Sequence, residues 1–208
     1  MRDEYQSVKS PHSKTLKVEG SKFIADAFPV ESRTEADAWL AKVRKKYHDA
    51  THHCFAYAIG SERDEFRYSD AGEPSGTAGI KIFSAIQSKD LSDISLVVTR
   101  YFGGTKLGVG GLGRAYFDAA SLVLSESEVV KKIIAEEIQI TFPYEDTNGV
   151  MTLITRSRVK IADTVYDDDV TLRILVREGM AAGLLGELKN VTRGNLASKV
   201  MSTGPRLA

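Results

Sequence analysis

Residues 93–118 constrain the fold of this chain more than any other segment. A largely apolar run, Ile94 to Val98, passes through Thr99, Arg100, Tyr101 and Phe102 into the loop GGTKLGVGGLG and then into a helical pattern. Six of the 17 glycines fall between Gly103 and Gly113. Each glycine costs about 0.5–1 kcal/mol relative to alanine in ordered structure, so six together imply a backbone forced by sterics or by a ligand. The charges in this stretch are Arg100, Lys106 and Arg114, with no acid between Asp93 and Asp118. A strand hands over to a helix N-terminus through a cationic loop, whose N–H groups and dipole favour an anion, phosphate above all. The expectation is a surface loop with several glycines at positive φ, where Arg100, Lys106 and Arg114 contact phosphates and Gly103, Gly104, Gly110 and Gly111 admit a close backbone approach. Removing any of the three cations then leaves the fold intact.

Composition excludes several alternatives. Lys+Arg and Asp+Glu are both 28 in 208 residues, so the chain is no polycation and any nucleic-acid binding must be local. With 42% hydrophobic residues it can build one large or two small cores. The single cysteine, Cys54, excludes an internal disulfide. The opening residues carry no apolar signal segment, and no run approaches the roughly 20 residues that span a bilayer. A cytoplasmic protein with no membrane association is expected.

Hydrophobic periodicity divides the chain near residue 135, giving expected domains 1–134 and 135–208. In the first, Lys14 to Val18 and Lys22 to Val30 read as a hairpin through Glu19, Gly20 and Ser21. Ser32 or Thr34 caps a helix with Ala36, Trp39, Leu40 and Val43 on one face. His53 to Gly60 and Glu65 to Tyr68 read as strands, and Ser75 or Thr77 caps a helix from Ala78 to Ile86. The strand Ile94 to Val98 and a helix Leu112 to Leu124 follow. The second part reads strand, helix, strand, strand, helix, strand, the βαββαβ order of ferredoxin-like domains. The fold class is α+β.

Gly108, Gly110 and Gly113 match GxGxxG, yet a loop separates them from the strand and no acid closes a second strand; the Gly103 to Lys106 stretch has the wrong order for a Walker A motif. Strand alternation puts His52 and Cys54 on one face and His53 on the other, so no metal site is expected. Asp70, Glu73, Ser75 and Thr77 surround a Pro-containing turn; with His52 they form a secondary candidate site, and turn and cap chemistry accounts for most of it.

In combination, SKFIA (Ser21 to Ala25), THHCFAY (Thr51 to Tyr57), GEPSGTAG (Gly72 to Gly79) and VVTRYFGGTKLGVGGLGRAY (Val97 to Tyr116) resemble the IMPACT/YigZ family in order and spacing. The chain departs from that pattern at His53, Phe55, Ala71 and Gly113. The resemblance implies an N-terminal domain like the second domain of a small-subunit ribosomal protein, and a C-terminal ferredoxin-like domain like domain V of elongation factor G. It also implies an association with control of translation. The leading expectation is a non-enzymatic protein, without catalytic residues, cofactor or metal, that binds RNA or a ribosome-associated factor through the cationic glycine loop. The alternatives are an enzyme acting on a small phosphate-containing ligand with Glu73 or Asp70 as base, and a protein-interaction regulator.

Overall fold

The computed structural model describes residues 3–207. It is a mixed α+β structure that divides into two compact units, Met1–Lys131 and Lys132–Ala208.

The first unit is built on an antiparallel sheet. Its strands are β2 (His12–Val18), β3 (Ser21–Pro29), β4 (His52–Ile59), β5 (Glu65–Ser69) and β6 (Ile94–Tyr101), in the spatial order β2-β3-β6-β4-β5. A short strand, β1 (Glu4–Val8), precedes them. Its polar sequence carries no strand signal, and it is held by tertiary bonds: the Ser7 hydroxyl donates to the Asp93 carbonyl (3.0 Å), and the Tyr5 hydroxyl donates to the Asp93 carboxylate. The β2–β3 hairpin closes through Glu19 and Gly20, both at positive φ.

Alternation along the strands gives this sheet two buried faces. Phe23, Ala25 and Ala27 of β3 and Ile94, Leu96 and Val98 of β6 face the helices α2 (Gly79–Ser88) and α3 (Gly108–Glu126). Phe28 of β3, Val97 of β6 and Phe55 and Tyr57 of β4 face α1 (Arg33–Lys46), whose inward residues are Ala36, Leu40 and Val43. A fully buried side chain of this kind contributes roughly 1.5–3 kcal/mol, so packing on both faces explains why β3, β4 and β6 are apolar nearly throughout. Ser32 is the N-cap of α1, accepting from the Glu35 N–H (3.3 Å).

In the second unit the elements are β7 (Val129–Pro143), α4 (Thr147–Arg156), β8 (Lys160–Tyr166), β9 (Asp169–Arg177), α5 (Glu178–Val191) and β10 (Ala197–Leu207). The strands pair antiparallel in the order β10-β7-β9-β8. Ile138, Ile140 and Phe142 of β7 and Val170, Leu172 and Ile174 of β9 meet Val150, Leu153 and Ile154 of α4 and Ala181, Leu184 and Leu188 of α5. The β–α–β–β–α–β order matches the reading from periodicity. β7 starts early, at Val129, ahead of the division expected near residue 135, and the division between the units falls inside it. No helix among the described residues is long and apolar enough to cross a membrane.

Candidate functional site

Arg100 sits near the end of β6 on the face turned toward α2 and α3, in register with His52 of β4. It is only 6% exposed. A guanidinium cannot shed its charge in a protein, so its burial requires a partner, and Glu73, from the turn before α2, supplies one. Arg100 Nη1 donates to Glu73 Oε1 at 2.8 Å, and the Tyr116 hydroxyl of α3 donates to the same oxygen at 2.8 Å. Arg100 Nη2 reaches the Ser21 hydroxyl oxygen at 3.4 Å, which also accepts from the Gly103 N–H at 3.2 Å. The ring centroids of Phe23 and Phe102 stand 5.4 and 5.5 Å from the guanidinium carbon. Arg100 is therefore not a surface cation free of acids, as the glycine-loop reading expects; its counter-ion lies 27 residues away on another element. One nitrogen of the group, the buried Nε of Arg100, has no hydrogen-bond partner.

Lys106 and Arg114 are exposed and enter no hydrogen bond or ion pair among the described residues. Arg100 and Lys106 line one cavity of about 250 Å³ together with Glu73, Phe102, Gly108 and Val109. Arg114 does not line it. The cavity closes on the N-terminus of α3, a 19-residue helix with no side-chain cap and no acid in its first turn.

That helix begins at Gly108, not at Leu112, so Gly110, Gly111 and Gly113 are helical and only Gly104 (φ +89°) and Gly108 (φ +68°) of this group have positive φ. Glycine's low helix propensity is overridden because Leu112, Ala115, Tyr116 and Ala119 pack into the core. The glycines divide by what surrounds them. A methyl group on Gly103 would fall 1.9 Å from the Gly20 carbonyl carbon, so two backbones touch there; one on Gly110 would meet nothing within 4 Å.

The secondary candidates are partly drawn together. Asp70, not Ser75 or Thr77, terminates α2: Oδ1 accepts from the N–H groups of Ala78 (2.9 Å) and Gly79 (2.8 Å), and Oδ2 from that of Gly76 (2.9 Å). Burial pushes its carboxyl upward, and the three N–H groups outweigh this and hold it below the ordinary carboxylate range. Thr77 donates instead to the Pro74 carbonyl (2.6 Å), and Ser75 is exposed with no hydrogen bond among the described residues. His52 Nδ1 lies 2.9 Å from the Ala71 carbonyl oxygen, which can only accept, so Nδ1 carries the proton; its Nε2 is 3.9 Å from Glu73 Oε2. His53 turns to the other face and meets the Tyr47 carbonyl oxygen at 3.0 Å. Cys54 donates to the Asp70 carbonyl oxygen (2.9 Å), and burial pushes its thiol up to about 12. A thiol at that value is not a thiolate nucleophile at neutral pH.

Sequence reasoning missed Ser21, Phe23, Phe102 and Tyr116. Tyr116 carries a readable signal, four residues after Leu112 on the inward stripe of α3. Ser21 carries none, because its role depends on the β2–β3 turn meeting the end of β6.

The family model described as the Impact N-terminal domain matches residues 19–124, and a second, described as a domain of unknown function (DUF1949), matches residues 140–195. "IMPACT family member YvyE" of Bacillus subtilis is 33% identical over 86% of this chain and 82% of that protein. "IMPACT family member YigZ" of Escherichia coli is 30% identical over 90% of this chain and 93% of that protein. A crystal structure titled as that of an hypothetical protein superposes with a TM-score of 0.69 at 27% identity, covering 97% of this chain and 99% of its own.

Proposed function

The chain belongs to the IMPACT family, and on that premise we propose that it is a non-enzymatic protein that binds phosphate groups of RNA, on its own or within the translation apparatus, in the cleft at the start of α3. The observation that carries this reading is the unpartnered Arg100 Nε, buried in the wall of a cleft that ends on an uncapped helix N-terminus. Such an end presents N–H groups and a partial positive charge. Lys106 on the same cleft adds an exposed ammonium, and Phe102, 49% exposed, offers a ring on which a base can stack. Gly110, with open space where a side chain would stand, leaves backbone accessible at that end of the helix.

The groups a hydrolase or phosphotransferase would use are engaged elsewhere. Glu73 Oε1 accepts from both Arg100 and Tyr116, Asp70 takes three backbone N–H groups, and the Cys54 thiol is held neutral. This favours binding over catalysis. The link to translation comes from what the family resemblance implies, including the likeness of the two domains to parts of a ribosomal protein and of elongation factor G.

The test is fluorescence anisotropy of a labelled single-stranded RNA with the whole chain, repeated across a salt series. Two to three phosphate contacts give a log–log slope of roughly −2. Lys106→Ala and Arg114→Ala each make that slope shallower by about 0.7 and weaken binding without changing the melting temperature. Free phosphate competing as well as RNA indicates a small phosphorylated ligand. Affinity unchanged in both variants makes the loop structural and ends the RNA reading.

A further inference from the structure

The opposite face of the same sheet holds a second cavity, of about 250 Å³, between β2, β3 and α1. We propose that it binds a single-ring aromatic molecule carrying a hydroxyl or N–H donor and an anionic substituent such as a carboxylate. Three observations set that chemistry. At one wall stands Asp26, 4% exposed, whose Oδ2 is buried without any hydrogen-bond partner. Leaving a buried polar atom unmatched costs free energy, so this oxygen calls for a donor from outside the chain. Pro11, Val43 and the polar side chains of His12 and Ser13 also line the space, with the buried His12 Nε2 likewise without a hydrogen-bond partner, and one wall is aromatic: Phe28 and Trp39 stack on each other with centroids 4.2 Å apart. Lys42 and Lys46 line it as well, both exposed, and Lys42 lies 4.1 Å from the centre of the Trp39 ring. Two ammonium groups beside an aromatic wall repel a cation and attract an anion, and the volume lies below the roughly 300–1,000 Å³ of drug-sized sites, so a single ring fits.

Asp26 stands in this state because of its place in β3. It lies opposite Ser13 in register, on the α1 side of the strand with Phe28. Burial raises its pKa, while the Ser13 hydroxyl and the Lys46 ammonium pull it back. Neither satisfies Oδ2. The proposal does not depend on the reading of the glycine loop, which concerns the other face of the sheet, and the two fail separately.

Trp39 is the chain's only tryptophan, so its fluorescence reports on this cavity. The experiment titrates the whole chain with 4-hydroxybenzoate, benzoate and phenol, with calorimetry alongside the fluorescence. The expected result is a saturable signal with 4-hydroxybenzoate, and about tenfold weaker binding when either the hydroxyl or the carboxylate is removed from the probe. Asp26→Leu should abolish the preference for 4-hydroxybenzoate over benzoate while benzoate still binds; Asp26→Asn, which alters the side chain less, should reduce the same preference. Lys42→Met and Lys46→Met should weaken both carboxylates relative to phenol. Absence of a saturable signal with all three probes overturns the proposal. So does an undiminished preference for 4-hydroxybenzoate in a folded Asp26 variant.

Discussion

The two faces of the β2-β3-β6-β4-β5 sheet each bury a charged side chain that a strand contributes, and they treat it differently. On the α2 and α3 face, Arg100 meets Glu73 at 2.8 Å, with Tyr116 and Ser21 completing a network that ties four elements or turns together. On the α1 face, Asp26 has Ser13 and Lys46 for company but keeps one oxygen unmatched. The first arrangement has its counter-ion built in, so the network belongs to the fold and Arg100 Nε is the nitrogen left without a partner. The second leaves a carboxylate oxygen at the edge of an aromatic cavity, where the fold gains little from it.

Stability measurements can break this comparison. Arg100→Ala should have the largest effect, a loss of about 3–5 kcal/mol, because Glu73 is left charged and buried without its counter-ion; urea unfolding measures it, and a loss within the range of ordinary surface changes would mean that Arg100 is not the keystone of its face. This differs from the surface-cation expectation, under which the substitution leaves the fold intact. Gly103→Ala comes next, with about 1–3 kcal/mol lost, because its methyl group meets the Gly20 backbone.

Asp26→Asn should have a smaller effect of opposite sign. A carboxyl whose pKa is raised on folding binds its proton more tightly in the folded state, so its contribution to stability is fully present below the unfolded value of about 3.9 and is lost as pH rises through the folded value. The variant should therefore gain on the parent as pH climbs through and beyond the ordinary carboxylate range, and match it most closely in acid. A parallel pair of pH–stability curves would place Asp26 in solvent. Gly110→Ala is the mildest, a gain of about 0.5–1 kcal/mol from helix propensity accompanied by weaker RNA binding; a gain in stability with binding unchanged would remove Gly110 from the proposed interface.

Features of period two or of local chemistry were legible in the sequence. The β2–β3 hairpin, the Ser32 cap, the βαββαβ order and the placement of His52 and His53 on opposite faces all follow from neighbours in the chain. What was not legible joins distant residues. No rule of spacing pairs Arg100 with Glu73, or assigns the α2 cap to Asp70 when Ser75 and Thr77 stand nearer. α3 starts ahead of the expected Leu112 because glycine content is a local signal, whereas the burial of Leu112, Ala115 and Tyr116 that stabilises the helix is not. Asp26 did offer a clue, as the only acid in the apolar stretch from Phe23 to Val30, but which face it occupies depends on where α1 packs.

The touching backbones of Gly20 and Gly103 bear on how such a chain can change over generations. Most contacts in a core tolerate paired change, a larger side chain on one side answered by a smaller one on the other. Here neither side has anything left to remove, so no second substitution restores the fit. Positions 20 and 103 are in direct contact, yet correlated variation between them would not reveal it, and a lineage that loses either glycine must rebuild the turn and the strand end together.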